Sequence, residues 1–304
     1  MVDISELKQN IRTYAGMSCI KIGVTMDGVN YLVKYPGNLR DRNLTNVSLS
    51  YSNGPVCEYL GSHIFSLFGM DAHETKLALR NGKIVVMCQD FVPQGARVLE
   101  FRELKATYEP AFISLDGNVS DGTGSDLDEA LLVIRNHPIA KGLSRMEERF
   151  WKMFVVDAFI GNSDRNNGNW GVLTDGISIL GYAPIYDNGC CLNEKWDDTK
   201  MKRFLNDSNV FLNEAWKGKV CFFTKGKKRL NPFQVIESGK YEKCTEAIKW
   251  LVSKDFSQVY QLIETCDILT EIQETFYLRL LREREKHLKE IVSKLETTKE
   301  LSCF

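Results

Sequence analysis

The 304-residue sequence is 43% hydrophobic and 11% aromatic, enough apolar material for a sizeable core in one or two closely apposed domains. Its 39 Lys and Arg against 40 Asp and Glu leave a net charge of -1, which excludes a global electrostatic pull towards nucleic acid or membrane and assigns any charged partner to a local patch. Nine scattered cysteines, an odd total with no Cys-x-x-Cys pair, fit reduced thiols better than a disulfide framework and give little support to a cysteine metal site.

The opening Met1-Val2-Asp3-Ile4-Ser5-Glu6 has neither the basic start nor the apolar core of a signal peptide. No apolar run approaches the roughly 20 residues of a membrane span. Cytoplasmic folding is expected, with export by a route that reads no N-terminal signal left open. Cys19 to Thr25 and Val29 to Tyr35 are β-rich runs joined at Asp27-Gly28, a dipeptide that tolerates positive φ and favours a tight hairpin. After Asn53-Gly54-Pro55, which reads as a cap and first turn, Tyr59, Leu60, His63, Ile64, Leu67 and Phe68 recur at helical spacing up to the stop at Gly69. His73 to Leu79 and Lys83 to Phe91 form a second hairpin pattern around Asn81-Gly82.

Beyond Pro93 the period becomes mainly helical, and residues 116–126 are polar and glycine-rich, as a loop is. Ser144 with Glu147 resembles a capping box ahead of the apolar helix Phe150 to Ile160, which Gly161 stops. A hairpin-like pair, Trp170 to Leu173 and Ile177 to Tyr186, follows a polar loop. From about residue 240 the pattern is helical again, with Ile272, Phe276, Leu280, Leu288, Ile291 and Leu295 on one face of a long helix. The expectation is an α+β, bilobed fold, with a small β-rich lobe over residues 1–92 and a larger, mainly helical lobe over 93–304.

The segment richest in chemistry is Gly161-Asn162-Ser163-Asp164-Arg165-Asn166-Asn167-Gly168-Asn169-Trp170, wedged between a very apolar helix and a short strand. An Asp followed five residues later by an Asn, with a second Asp in Tyr186-Asp187-Asn188-Gly189, is a donor set suited to phosphoryl transfer. Asn169 and Asp187 would hold Mg²⁺, a hard ion that takes oxygen ligands, while Asp164 orients or deprotonates an acceptor hydroxyl. Such polar residues also build ordinary turns. What strengthens the catalytic alternative is Lys34 ending an apolar strand with Glu58 on the next helix, the order of a phosphate-binding lysine and its carboxylate partner. Taken singly, a snorkelling lysine and a solvated glutamate are the commoner readings of these two.

Gln89, Asp90 and Phe91 end a strand where backbone groups would meet the edge of an adenine. Gly16, Met17 and Ser18 would offer N–H groups and a hydroxyl to the phosphates of ATP, although without a G-x-G-x-x-G pattern a simple turn is an equal reading. Lys225-Gly226-Lys227-Lys228-Arg229 is a basic run that would dock an acidic substrate, an anionic lipid or nucleic acid, or simply form a solvated loop.

Gly161, Asp164, Asn169 and Tyr186-Asp187 resemble the catalytic and metal motifs of the HipA-like bacterial serine/threonine kinases. The resemblance runs from Lys34-Tyr35-Pro36 through Glu58 and Gln89 to Asp187 and weakens after about residue 200. It implies a bilobed protein-kinase-like fold, ATP, Mg²⁺, protein acceptors with Ser or Thr, and autophosphorylation. Many members carry a histidine where Arg165 follows Asp164, and many have an N-terminal extension that this sequence lacks. Antitoxin pairing and DNA association are therefore not expected, and no nucleic-acid partner is predicted. Asn162-Ser163-Asp164-Arg165 with Asn169-Trp170 also resembles the loop of type II phosphatidylinositol 4-kinases, but Cys190-Cys191, directly after the metal motif, is a poor counterpart of their anchoring cysteine cluster. A protein acceptor is preferred, with a lipid or small-molecule kinase as the alternative and a nucleotide-binding pseudokinase as a third.

Overall fold

In the computed structural model, residues 1–12, 14, 19–39, 50–108, 125–218 and 228–302 are described. In chain order the elements are β1 (Val2–Asp3), β2 (Lys21–Met26), β3 (Val29–Lys34), α1 (Gly54–Leu67), β4 (Thr75–Arg80), β5 (Lys83–Gln89), β6 (Arg97–Glu100), α2 (Phe101–Ala106), α3 (Leu127–Asn136), α4 (Pro138–Gly142) and α5 (Met146–Ile160). They continue with β7 (Gly171–Thr174), β8 (Ile179–Tyr182), α6 (Asp198–Leu205), α7 (Ser208–Ala215), α8 (Pro232–Glu237), α9 (Glu242–Val252), α10 (Ser257–Glu264) and α11 (Glu271–Ser302). The class is the expected mixture of a β-rich N-terminal sheet and a mainly helical remainder. Two compact units are present: Met1–Phe91 with Pro184–Leu212 and Asp255–Leu280, and Val92–Ala183 with Asn213–Lys254 and Leu281–Phe304.

The first unit is built on a five-stranded sheet of order β1-β4-β5-β3-β2, antiparallel except for the β1–β4 pair. Both hairpins form where the dipeptides direct: Asp27 and Gly28 have φ of 51° and 77°, and Asn81 and Gly82 have 50° and 71°, the paired left-handed residues of a tight turn. Strand β5 is apolar without alternation because both its faces are covered. Val85 and Met87 join a cluster with Ile4, Val24, Tyr31, Val33 and Ala78, while the alternate residues Val86 and Cys88 are buried as well. Helix α1 packs on β4 and β5. Its Cys57, Leu60, Ile64 and Phe65 are fully buried, and each large apolar side chain so placed contributes about 1.5–3 kcal/mol.

Residues 184–187 do not continue the hairpin expected over Ile177 to Tyr186. Strand β8 ends at Tyr182, and Ile185 instead makes a parallel bridge to Ala72. Ile185 N donates to Asp71 O at 2.8 Å and His73 N donates to Ile185 O at 3.0 Å. Pro184, which has no N–H to give a ladder, marks the departure. This short pairing delivers Asp187 and the turn behind it to α1.

The second unit centres on α5, buried almost all round through Phe150, Trp151, Met153, Phe154, Val155, Val156, Ala158, Phe159 and Ile160. Helices α8 and α9 pack against it. The expected Ser144–Glu147 capping box is absent: the N-cap is Arg145, in the left-handed region at φ 69°, without a side-chain cap bond. Glu147 is turned instead to Arg135, with bonds of 3.0 and 2.6 Å, a charge-assisted pair that outcompetes a cap. Strands β6, β7 and β8 form an antiparallel sheet, and Trp170 stacks on Phe101 with ring centroids 4.0 Å apart.

Candidate active site

In the first unit, Lys34 closes β3 and is buried, its Nζ donating to Glu58 Oε2 at 2.9 Å and to Asp187 Oδ1 at 2.8 Å. Burial works against the ammonium, but the two carboxylates outweigh it and hold Lys34 well above the usual lysine range. A lysine ammonium carries three N–H donors, so one remains for an anion.

Glu58, 2% exposed, is surrounded by donors. Besides Lys34, it accepts from Asn188 N at 2.9 Å and Gly189 N at 3.0 Å, and His73 Nε2 lies 2.9 Å from its Oε1. Burial alone would raise its carboxyl, yet Lys34 and His73 hold it far below the ordinary glutamate range. One turn further along α1, Ser62 Oγ accepts from Asn188 Nδ2 at 2.9 Å and meets His73 Nε2 at the same distance. Gly61, between them on this face, lets the turn approach: a Cβ there would lie 3.0 Å from Asn188 Cβ and 3.2 Å from Cys191 Sγ.

Asp187 is held below its usual range by Lys34, against the effects of burial and of Glu58. It sits in the left-handed region at φ 59°, uncommon for a residue other than glycine and a mark of backbone positioned by its surroundings. Its side chain is one-third exposed. Burial raises the Cys88 thiol strongly, which keeps it neutral beside Glu58 and His73; the three place ligand atoms within 4.8 Å of one another, but the Lys34 ammonium already occupies that carboxylate.

Gln89 N and Asp90 N are committed to Glu74 O and Asn30 O, at 2.8 and 2.9 Å. The Asp90 carboxylate pairs with Arg12 and accepts from Tyr14 OH at 3.1 Å, and burial with the Asp90 charge pushes the Tyr14 phenol to about 12. Phe91 lies against Tyr186, ring centroids 5.8 Å apart. Gly16, Met17 and Ser18 lie outside the described residues, as do Lys225, Gly226 and Lys227.

In the second unit, Gly161 ends α5 with φ 72°, and Arg284 lies so close that a Cβ on Gly161 would stand 2.7 Å from Nη1. The polar loop that follows is anchored from inside the apolar helix. Asp157, fully buried, receives Arg165 Nε at 2.8 Å and Nη2 at 3.1 Å, and Asn162 Nδ2 at 2.9 Å. Burial lifts the Asp157 carboxyl above its usual range even with Arg165 against it. Arg165 also donates through Nη1 to Asn169 O at 2.9 Å.

Asp164 N is fixed by Asn162 Oδ1 at 3.1 Å, and Asp164 O accepts from Asn166 N at 2.7 Å and Asn169 Nδ2 at 2.7 Å. The donor end of the Asn169 amide is thereby used within the loop, which leaves Oδ1 as its coordinating end. The Asn169 amide oxygen is a hard oxygen donor, as is the one-third-exposed Asp187 carboxylate of the first unit, and donors of this kind suit a divalent ion such as Mg²⁺.

Lys34, Glu58 and Asp187 thus meet in one network, and Asp164 and Asn169 meet in another. The supporting residues His73, Ser62 and Asp157 were not singled out from sequence, and Arg165 was read there only as a departure from a histidine. Asp157 had a signal, the lone acid in the apolar stretch Met153 to Ile160.

No family model matches the chain. Serine/threonine-protein kinase CtkA of Helicobacter pylori strain J99 is 28% identical over 278 residues, spanning 90% of this chain and 82% of its own. The crystal structure of the proinflammatory kinase CtkA from H. pylori superposes with a TM-score of 0.83 at 26% identity, over 96% of both chains. The chain resembles the kinase CtkA. Its similarity extends through nearly all of the chain, which makes it a phosphotransferase. HipA of Shewanella oneidensis MR-1, solved with HipB and its operator DNA, shares the fold at a TM-score of 0.52, with 11% identity over 96% of this chain and 70% of that one.

Proposed function

We propose that this CtkA-like kinase transfers the γ-phosphoryl group of ATP to Ser or Thr hydroxyls of proteins, itself included, in the cytoplasm. The observation that carries the reading is the buried Lys34–Glu58–Asp187 network. A lysine whose charge is secured by two carboxylates, with one N–H to spare, is a fixed cation for phosphate oxygens. Asp187 and Asn169 are the residues that would hold Mg²⁺, which supplies charge neutralisation on the phosphates when bound. Asp164, fixed through its backbone at both ends, accepts a hydrogen bond from the acceptor hydroxyl and takes up its proton as the P–O bond forms. Asp90 and Phe91 would line the base, with carbonyls rather than the committed N–H groups of Gln89 and Asp90 facing it.

A protein acceptor is favoured over a lipid one. Cys191 is fully buried and its Sγ donates to Cys57 O at 3.3 Å, so it is not available as an acylated membrane anchor. Among the described residues, no helix is long and apolar enough to cross a membrane.

The test offers radiolabelled ATP and Mg²⁺ with pools of protein, phosphoinositide and small-molecule acceptors, and locates the label by mass spectrometry. Label on Ser or Thr is expected, and is lost in Asp187→Ala while the protein stays folded. Label found solely in lipid, or transfer by folded Asp187→Ala at the parental rate, overturns the reading.

A further inference from the structure

The second unit has a groove of about 430 Å³ that the chemistry above leaves unused. Lys228, Arg229, Lys240 and Asp128 supply its formal charges, three basic against one acidic, and Tyr241 lies among them. Asp128 is engaged within the groove: Tyr241 OH donates to its Oδ1 at 3.0 Å and Lys240 Nζ lies 3.9 Å from it. The lining therefore keeps an excess of two positive charges in a chain whose net charge is -1. The excess is a local feature, not a spill-over of a basic protein.

Its position gives the charge a use. Arg229 Nη2 donates to Ser163 O at 2.8 Å, and Ser163 directly precedes Asp164. One basic residue of the groove thus touches the loop that carries the proposed acceptor-orienting carboxylate. The groove therefore borders that loop at Arg229.

We propose that this groove docks a carboxylate-rich segment of the protein substrate, so that Asp or Glu a few residues from the acceptor Ser or Thr selects the phosphorylation site. The inference rests on the protein-kinase reading and adds its substrate class. Carboxylates match the lining by charge, and Lys228 and Lys240 are exposed residues of it, the Lys240 ammonium lying 4.8 Å over the Tyr241 ring. The attraction is between largely solvated charges, so it is screened by salt and acts on binding more than on the chemical step.

The test uses the full chain and two readouts. The first is a positional peptide array with a fixed Ser, each flanking position set in turn to Glu, Gln or Lys, phosphorylated by wild type and by a Lys228→Glu/Lys240→Glu variant. Wild type is expected to favour Glu over Gln at one or more positions by about tenfold or more in kcat/KM, through KM. The variant is expected to lose that preference while its kcat on Gln peptides is unchanged. The second readout is fluorescence polarisation of a labelled octa-glutamate peptide without ATP, expected to weaken at least tenfold in the variant and with rising salt. Transfer with no preference for Glu overturns the docking proposal and leaves the kinase reading intact, whereas no transfer to any peptide counts against that reading and leaves polarisation to decide docking. A preference or octa-glutamate affinity that survives the charge reversal overturns the proposal, as does tighter binding of a labelled oligonucleotide than of octa-glutamate.

Discussion

Replacing Glu58 by Gln tests the central network with almost no change of shape. Every group facing the carboxylate in the structure is a donor or, for His73, able to be one: Lys34 Nζ and Gly189 N on Oε2, Asn188 N and His73 Nε2 on Oε1. An amide has one acceptor end and one donor end. With its oxygen towards Lys34 and Gly189, the NH₂ group confronts Asn188 N–H and leaves that buried donor unpaired, at about 1–3 kcal/mol. The reverse orientation confronts both Lys34 and Gly189 and costs more. Loss of the charge itself leaves Lys34 with Asp187 alone, and breaking one side of a buried ion pair costs about 3–5 kcal/mol. These effects overlap, so Glu58→Gln is expected to lower stability by about 3–5 kcal/mol at neutral pH, a large part of the roughly 5–15 kcal/mol of a typical domain. Urea denaturation followed by tryptophan fluorescence measures this as a shift of midpoint at constant slope. A loss below about 1 kcal/mol with the slope unchanged would refute the argument that four donors need a carboxylate.

The same network sets a pH response. Glu58 and Asp187 are both depressed in the folded chain, so the stability they supply is complete above the ordinary carboxylate range and is lost as pH falls through their folded-state values. Acid titration should therefore unfold wild type more steeply than Glu58→Gln, closing the gap between them at low pH; near-UV circular dichroism reads this, and parallel curves would contradict it. In the second unit, Arg165→Met strands the buried Asp157 and should cost about 3–5 kcal/mol, while Arg165→Met with Asp157→Leu recovers much of that stability but not phosphoryl transfer, because Asn169 O has lost its donor. Denaturation and turnover of both variants, measured side by side, check this. Gly189→Ala places a Cβ 3.0 Å from Glu58 Oε2 and 3.3 Å from Gly54 O, neither free to retreat, and is expected to cost about 1–3 kcal/mol with a fall in activity. Thermal unfolding and a kinase assay measure both, and wild-type behaviour would show that the turn relaxes.

Most of the first unit is legible because its rules are local. Asp27-Gly28 and Asn81-Gly82 specify hairpins through backbone sterics, and Gly69, with φ 81°, ends α1 as its position suggests. Lys34 and Glu58 were found together because a strand end and the following helix occur in fixed order, and the structure joins them at 2.9 Å. What escaped were features settled by distant parts of the chain. Ile185 leaves the hairpin for Ala72 because of a pairing more than a hundred residues away in sequence. His73 and Ser62 have ordinary identities and acquire meaning only from the Asn188 turn folded onto them. Arg165, read from sequence as a departure from a histidine pattern, is the tie between Asp157 and Asn169. The capping box at Ser144 failed because Glu147 had a stronger, charged partner in Arg135.

The grip of α1 on the 188–191 turn bears on how such an enzyme can be controlled. Glu58 takes two backbone N–H groups of that turn, Ser62 takes the Asn188 amide, and Cys57 O takes the Cys191 thiol, all from one helix face that Gly61 allows to lie close. Rotating the helix outward, a familiar way of switching a kinase off by parting its lysine and glutamate, would sever these bonds together and leave their buried donors without acceptors. Parting the lysine from the glutamate would thus cost the whole set of bonds between helix and turn.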